Sequence, residues 1–329
     1  MQKTMLAILK VLERNRERIL GSREIARQLR PLGIELTERT VRYHLKILDE
    51  RGLTNVYGKE GRKITEKGIE ELASALVSEK VGFIISKIET LSYMTDLDLE
   101  REKGRIILNV SYFRKRDIPE ALRVMRPVFA SPYIMCDRVA LQGEGGRIGE
   151  LTVPEGMAGI GTVCSVTVNG IFLKAGIPVV SRFGGLLDVD EGGPSRFLAL
   201  ISYEGSSLDP HEMFIRGRMT DVMGAARHRK GKVLASFREI PVVSLEKAMG
   251  LEKRLREKGI GGILKIGNPN QPLFEVPVGM DKAGMVLAGG LNPVAAAEEA
   301  GIRTESTAMA VLYDYQALVP FREALKKTL

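Results

Sequence analysis

The chain has 329 residues, 44% hydrophobic and 27% charged, with a net charge of +8, which is the composition of a folded globular protein long enough for two or three domains and not of a disordered chain. No run approaches the ~20 apolar residues that span a bilayer, and Arg14, Arg16 and Arg18 interrupt any signal-like stretch, so a cytoplasmic protein without membrane contact is expected.

In chain order, Met5, Leu6, Ile8, Leu9 and Leu12 form the apolar face of a first helix. Ser22 is placed to cap a second, which carries Ile25, Ala26 and Leu29 and ends at Pro31. Residues 31–36 make a turn, and a third helix follows with Thr37 as N-cap, Val41, Leu45 and Leu48 at i, i+4, i+7, and Gly52 as stop. Glu38, Arg39, Arg42, Tyr43 and Lys46 are left on its outer face. Two short strand-like runs around the basic turn 58–63 then complete a winged helix-turn-helix over residues 1–80.

Charge follows the same boundary: residues 1–69 hold 16 Lys+Arg against 9 Asp+Glu, +7 of the +8 total. A basic excess confined to one small module is what contact with nucleic-acid phosphates requires. Arg39, Thr40, Arg42, Tyr43 and Lys46 are the candidates for a major groove of double-stranded DNA, and Arg62 and Lys63 for the backbone or minor groove. His44 falls between core positions and reads as a packed or hydrogen-bonded histidine. Tryptophan is absent and aromatics are few, which disfavours stacking on single strands; an RNA-binding winged helix is the weaker alternative.

A helix over residues 66–81 and a linker helix over 81–103 lead to a charged boundary at 96–104 and a strand at 105–112. From there the chain repeats itself. Val153-Pro154-Glu155-Gly156-Met157 returns as Val276-Pro277-Val278-Gly279-Met280; Gly161 answers to Gly284, Asn169 to Asn292, Ala175-Gly176-Ile177 to Ala300-Gly301-Ile302, and Phe113-Arg114 to Phe237-Arg238. Ile201-Ser202-Tyr203 answers to Val311-Leu312-Tyr313. The expectation is an α+β domain over 104–329 made of two repeats, about 104–228 and 229–329, packed with pseudo-twofold symmetry and a ligand cleft between them.

The paired glycines contain neither a phosphate-binding P-loop nor a dinucleotide fingerprint. Cys136 and Cys164 stand alone, as reduced core residues do, and no metal spacing accompanies them. For a small anionic effector the candidates are hydroxyls, an amide and arginines near the repeated motif: Thr162, Ser165, Thr167, Asn169 and Arg182 in the first copy, Arg303, Ser306 and Thr307 in the second. A metabolic enzyme with an appended DNA-binding module remains an alternative, although His211 and His228 have no evident nucleophile and Asp188 and Asp190 read as a solvated loop.

A winged helix bearing Arg39-Thr40-Val41-Arg42-Tyr43-His44-Leu45, joined to a duplicated domain bearing Val153-Pro154-Glu155-Gly156-Met157, resembles the archaeal nitrogen-regulatory repressor family NrpR. The resemblance covers nearly the whole chain. It implies a non-enzymatic homodimer without a resident cofactor, which binds palindromic operators of nitrogen-assimilation genes as an allosteric repressor and releases them when 2-oxoglutarate accumulates. It implies no particular effector-binding residues.

Overall fold

A computed structural model describes residues 3–16, 18–75 and 82–328, which fall into two compact units, residues 1–81 and 82–329. The first unit is built from α1 (Lys3–Arg14), α2 (Ser22–Leu29), α3 (Glu38–Glu50), β1 (Thr54–Tyr57), β2 (Gly61–Ile64) and α4 (Glu66–Ala75). The predicted continuation of α4 over residues 76–81 lies outside the described residues. Ile8, Leu9, Leu12, Ile25, Leu29, Val41, Leu45 and Leu48 form one core, as their helical spacing anticipates.

Local chemistry explains the ends of α3. The Thr37 hydroxyl accepts the Thr40 N–H at 3.2 Å. At the other end Gly52 adopts φ +72° and the Leu53 N–H reaches back to the Leu48 carbonyl at 2.9 Å, a left-handed cap sealed by buried Leu53. The cap of α2 differs from expectation. Gly21 is its N-cap, while the Ser22 hydroxyl donates to Glu38 Oε1 at 3.1 Å and so ties α2 to α3.

The wing is fastened at both edges. Leu20 and Arg62 exchange backbone hydrogen bonds of 3.1 and 3.0 Å, adding a one-residue third strand to the β1–β2 hairpin. Gly61 permits this approach, because a Cβ there would lie 2.2 Å from the Leu20 carbonyl oxygen and φ is +141°. The Arg62 guanidinium forks onto Asp49 of α3, with Nε and Nη2 at 3.1 and 2.9 Å from Oδ2. Thr54 Oγ1 donates to the same carboxylate at 2.6 Å.

The second unit begins with α5 (Phe83–Met94), β3 (Arg105–Arg114), α6 (Ile118–Phe129) and β4 (Arg138–Gln142), followed by β5 (Arg147–Ile148), β6 (Leu151–Thr152), β7 (Met157–Val163), α7 (Val166–Lys174), β8 (Val180–Asp190) and β9 (Gly193–Ser202). It continues with α8 (Pro210–Arg216), α9 (Val222–His228), β10 (Gly231–Pro241), α10 (Leu245–Glu257) and β11 (Ile263–Pro269). The last elements are β12 (Lys282–Ala288), α11 (Asn292–Glu299), β13 (Thr304–Asp314), β14 (Val319–Pro320) and α12 (Phe321–Thr328). The predicted linker helix corrects to part of this unit: α5 packs on α7, with Ile84 and Ile88 buried against Ile107, Cys164 and Val166. Gly170 makes the approach possible, since a Cβ there would sit 2.4 Å from Thr95 Cβ.

The two repeats are β3-α6-β4-β7-α7-β8 and β10-α10-β11-β12-α11-β13, and they exchange their last strands. The sheets run β13-β3-β7-β4-β14 and β11-β12-β10-β8-β9, antiparallel throughout, so β13 completes the first repeat's sheet and β8 the second's. The turns after β7 and β12 are held identically. Cys164 N–H donates to the Ile107 carbonyl at 2.9 Å, and Gly289 N–H to that of Leu234 at 2.7 Å. Thr167 Oγ1 brackets the Ile107 N–H and C=O at 3.1 and 3.3 Å; Asn292 brackets those of Leu234 at 2.8 and 3.0 Å and also donates to the Tyr133 carbonyl.

These bonds set the true correspondence at 127 positions in the first strand (Ile107 to Leu234) and 125 beyond it (Thr167 to Asn292). The Ala-Gly-Ile match fits, with Gly176 and Gly301 at φ +75° and +84°. The other sequence matches slip. Asn292 answers to Thr167 and not Asn169, Arg238 to Ser111 and not Arg114, and Gly284 to Gly159 and not Gly161. The Val-Pro-x-Gly-Met words are offset by two, because Gly156 corresponds to Asp281: each has positive φ and each carbonyl accepts an N–H, from Lys115 and Val242 respectively. Residues 201 and 202 end β9, which has no counterpart, and Tyr203 follows it, whereas 311–313 lie on β13.

Two stability measurements follow. Asn292→Ala removes three hydrogen bonds to buried backbone groups, of which the Leu234 carbonyl keeps the Gly289 N–H, and should lower the unfolding free energy of the full chain by about 3 kcal/mol, against about 1–2 kcal/mol for Thr167→Val. Urea unfolding checks both, and a cost for Asn292→Ala within the range of surface substitutions would refute the clasp. Arg62→Ala should cost about 1–2 kcal/mol by freeing the half-buried Asp49 carboxylate, seen as a lower melting temperature of the winged helix.

Candidate functional site

In the first unit, Arg39, Arg42, Tyr43 and Lys46 are exposed at i, i+3, i+4 and i+7 on the outer face of α3, the stripe its buried face leaves over. Among the described residues the side chains of Arg39 and Lys46 make no hydrogen bond or ion pair. Arg42 is steadied by Glu38 at 3.3 Å, and Glu38 also meets Arg23 at 3.5 Å. Tyr43 is 63% exposed and stands edge-on to His44.

Two candidates have other duties. The Thr40 backbone and hydroxyl are engaged with Thr37 in the helix cap. Arg62 anchors the wing on Asp49, where its Nε and Nη2 donors are used. Lys63 lies 6.0 Å from the Tyr57 ring at the wing. His44 is buried in the helix packing, as its position between Val41, Leu45 and Leu48 anticipated, with Nδ1 unpartnered.

In the second unit the polar residues converge where the two exchanged repeats meet. The turns after β7 and β12 interlock there; a Cβ on Gly290 would lie 2.3 Å from the Val163 carbonyl oxygen. Around them, Ile88 of α5, Asn109 of β3, Cys164 to Val166, Tyr203, Asp209 and His211 line a small cavity with Ala308 and Met309. Its volume is about 10 Å³, room for one water. Asp209 caps α8 by accepting the N–H groups of His211 and Glu212, and His211 Nε2 lies 3.1 Å from the Ala235 carbonyl.

Residues 308–310 form a bulge in β13, where the register against β3 jumps between Thr307 and Val311. Met309 sits there at φ +52°, a conformation costing a non-glycine residue on the order of 1 kcal/mol. Three side chains hold the bulge by its backbone. Glu212 Oε1 accepts the Ala308 N–H at 2.6 Å, Lys87 Nζ donates to the Ala308 carbonyl at 3.1 Å, and Asn109 Oδ1 accepts the Met309 N–H at 3.0 Å. Burial pushes the Glu212 carboxyl above its usual range.

Arg238, on β10, is the residue that sequence reasoning missed. It is 1% exposed, and its Nη1 donates to the Ser165 carbonyl and to Asn169 Oδ1, its Nη2 to Ser165 Oγ at 2.9 Å. All three acceptors are neutral, Nε has no partner, and among the described residues no carboxylate lies within ion-pair reach. Burial pushes its pKa down to about 10, so it stays charged near neutral pH. The available signal was an arginine in the middle of a largely apolar strand, 231–241, two residues after Ser236.

The predicted effector residues divide around this point. Ser165 and Asn169 both bind Arg238, and Asn169 also donates to Ser181 Oγ at 2.9 Å. Thr167 is corrected to the backbone clasp on Ile107. Thr162 is buried on β7 with its hydroxyl unpartnered. Arg182 is half-exposed over the Phe183 ring and 3.7 Å from Glu239. Arg303 and Thr307 are exposed on and beside β13, and Ser306 Oγ pairs with Ser111 Oγ at 2.8 Å, so these three do not join the first group. The open groove between the copies, about 680 Å³, is lined instead by Tyr133, Ile134, Met249, Leu255 and Arg256.

Burial pushes both thiols, Cys136 and Cys164, up to about 11, and neither is in a disulfide. Among the described residues no cluster of His, Cys, Asp and Glu is arranged to hold a metal ion, and no helix is long and apolar enough to cross a membrane.

Residues 81–319 match the family described as NrpR regulatory domains NRD1 and 2, and residues 6–72 match the ribonuclease R winged-helix domain. The global nitrogen regulator NrpRI of Methanosarcina mazei is 36% identical over 96% of this chain and 97% of its own length. The global nitrogen regulators NrpR of Methanococcus maripaludis and Methanocaldococcus jannaschii are 31% and 32% identical, and the chain spans about half of each, 54% and 51%. A crystal structure of a nitrogen repressor-like protein from Methanococcus jannaschii matches with a TM-score of 0.61 at 30% identity, covering 72% of this chain and 97% of that one. With a winged helix that presents a basic stripe and a duplicated regulatory unit that matches over residues 81–319, the chain belongs to the NrpR family of nitrogen regulators.

Proposed function

We propose that this regulator is a repressor of nitrogen-assimilation genes which binds palindromic operator DNA as a homodimer and lets go when its second unit binds 2-oxoglutarate. The observation that carries the DNA reading is the exposed stripe Arg39, Arg42, Tyr43 and Lys46 on a helix whose opposite face is locked into the winged-helix core. Arginine and lysine on such a stripe meet guanine acceptors and phosphates at the floor and edges of a major groove. Half-sites related by a twofold axis call for two copies of the stripe, which is the argument for a homodimer.

For the effector, support comes from the family and from the architecture of the second unit. Two repeats share strands across their junction, and that junction carries a buried positive charge with no acidic partner among the described residues. An anionic metabolite acts on such a unit if it binds one arrangement of the repeats better than another, and the shift it causes is bounded by that difference.

Gel-shift titrations on a nitrogen-gene promoter test the reading. Arg42→Ala should weaken operator binding by about 1–3 kcal/mol and random DNA less; equal losses on both would make Arg42 a phosphate contact. Lys46→Ala should flatten the slope of log affinity against log salt by about 0.9 if it meets a phosphate. Adding 2-oxoglutarate to the operator complex should release the DNA while succinate at the same ionic strength does so less. Operator binding indifferent to both would overturn the effector and leave the DNA reading standing.

A further inference from the structure

We infer that Arg238 anchors a small carboxylate at the junction of the two repeats, beside Ser165, which it binds and which lines the small cavity shared with Tyr203, His211 and the Ala308–Met309 bulge. The inference rests on the reading of the second unit as a sensor of a small anion, and it names the group that does the sensing.

The argument begins with charge. A guanidinium removed from water requires a counter-charge or a complete set of acceptors, and Arg238 has neither. The nearest acids are committed elsewhere. Asp209 lines the cavity but its Oδ1 accepts two backbone N–H groups, and Glu239, on the opposite face of β10, accepts the Gly279 N–H at 2.8 Å and faces Arg182. Ser236, which shares the strand face of Arg238, is fully buried with its hydroxyl beside that of Tyr203. An unpaired Nε–H and a neighbouring hydroxyl beside a permanent positive charge fit a carboxylate, which accepts several hydrogen bonds and neutralises the charge at once. A water would satisfy the donors and leave the charge unbalanced.

The cavity as it stands has room for one water, so a carboxylate enters only as a wall moves. The wall with reason to move is the bulge of β13, which contains the strained Met309 and is held through single backbone contacts from Asn109, Glu212 and Lys87. Because β13 belongs to the second repeat but pairs with β3 of the first, a ligand that displaces the bulge acts on the strand that joins the two.

Calorimetric titration of the full chain at constant ionic strength, with acetate, succinate, 2-oxoglutarate and chloride as probes, tests the assignment. At least one carboxylate should bind, chloride should not compete with it, and Arg238→Gln should weaken it about tenfold or more with the circular dichroism spectrum unchanged. Unchanged affinity in a folded Arg238→Gln protein, binding by chloride alone, or no carboxylate binding to the wild type would each overturn it. If Arg238→Gln does not fold, Ser236→Ala keeps the charge and removes one donor; a loss of threefold or more supports the site, and unchanged affinity refutes it. The two readings fail separately. Arg238-dependent carboxylate binding without operator release overturns only the effector reading, whereas 2-oxoglutarate release that survives in a folded Arg238→Gln protein overturns only the anchor.

Discussion

The exchange of terminal strands between the repeats is the constraint on which the second unit depends. Neither repeat can complete its sheet alone, since β3 needs β13 and β10 needs β8 along one edge. An open edge beside a buried strand would leave a row of backbone donors and acceptors without partners, each costly in an apolar surrounding. The paired clasps of Thr167 on Ile107 and Asn292 on Leu234 secure the turns from which α7 and α11 lead into the exchanged strands. The helices follow the exchange: α6 and α11, from different repeats, contribute to one apolar core, and α7 and α10 to the other.

That architecture accounts for where the polar groups collect. Where the two equivalent turns meet, their backbones approach so closely that a side chain at Gly290 would strike the Val163 carbonyl, and side chains of both repeats are forced into the same dry volume. In the low dielectric there, Arg238 interacts more strongly with everything around it, and an unbalanced charge becomes sensitive to whatever anion can reach it. The symmetry is broken at this point, since the position corresponding to Arg238 in the first repeat is Ser111, which pairs with Ser306. One repeat keeps a neutral hydroxyl pair where the other keeps a charge.

Much of the winged helix was legible from residue order, because its elements are fixed by near neighbours in the chain. Thr37 caps α3 through Thr40, Gly52 ends it through Leu48 and Leu53, and the buried positions recur at helical spacing. The anchoring role of Arg62 was hidden for the complementary reason: its partner Asp49 lies 13 positions away across the wing, and a basic residue at a hairpin looks equally available for a phosphate or for a carboxylate. The duplication was visible as recurring words, but short words of small residues recur by composition as well as by descent. Only the hydrogen bonds to Ile107 and Leu234 separate the real register from neighbours displaced by two or three positions.

The sequence by itself therefore determined the basic N-terminal module, the outward stripe of α3, the two-repeat α+β plan and the family resemblance. Each of these rests on composition, on spacing within one element, or on recognisable words. The tertiary structure decided the rest: which repeat completes which sheet, that α5 belongs to the regulatory unit, that Ser165 and Asn169 are gathered by Arg238, and that Thr167 serves the backbone. Those outcomes depend on pairing between residues from 42 (Val189 and Gly231) to 209 (Arg105 and Asp314) positions apart and on the loss of water at the junction. No local pattern along the chain encodes either.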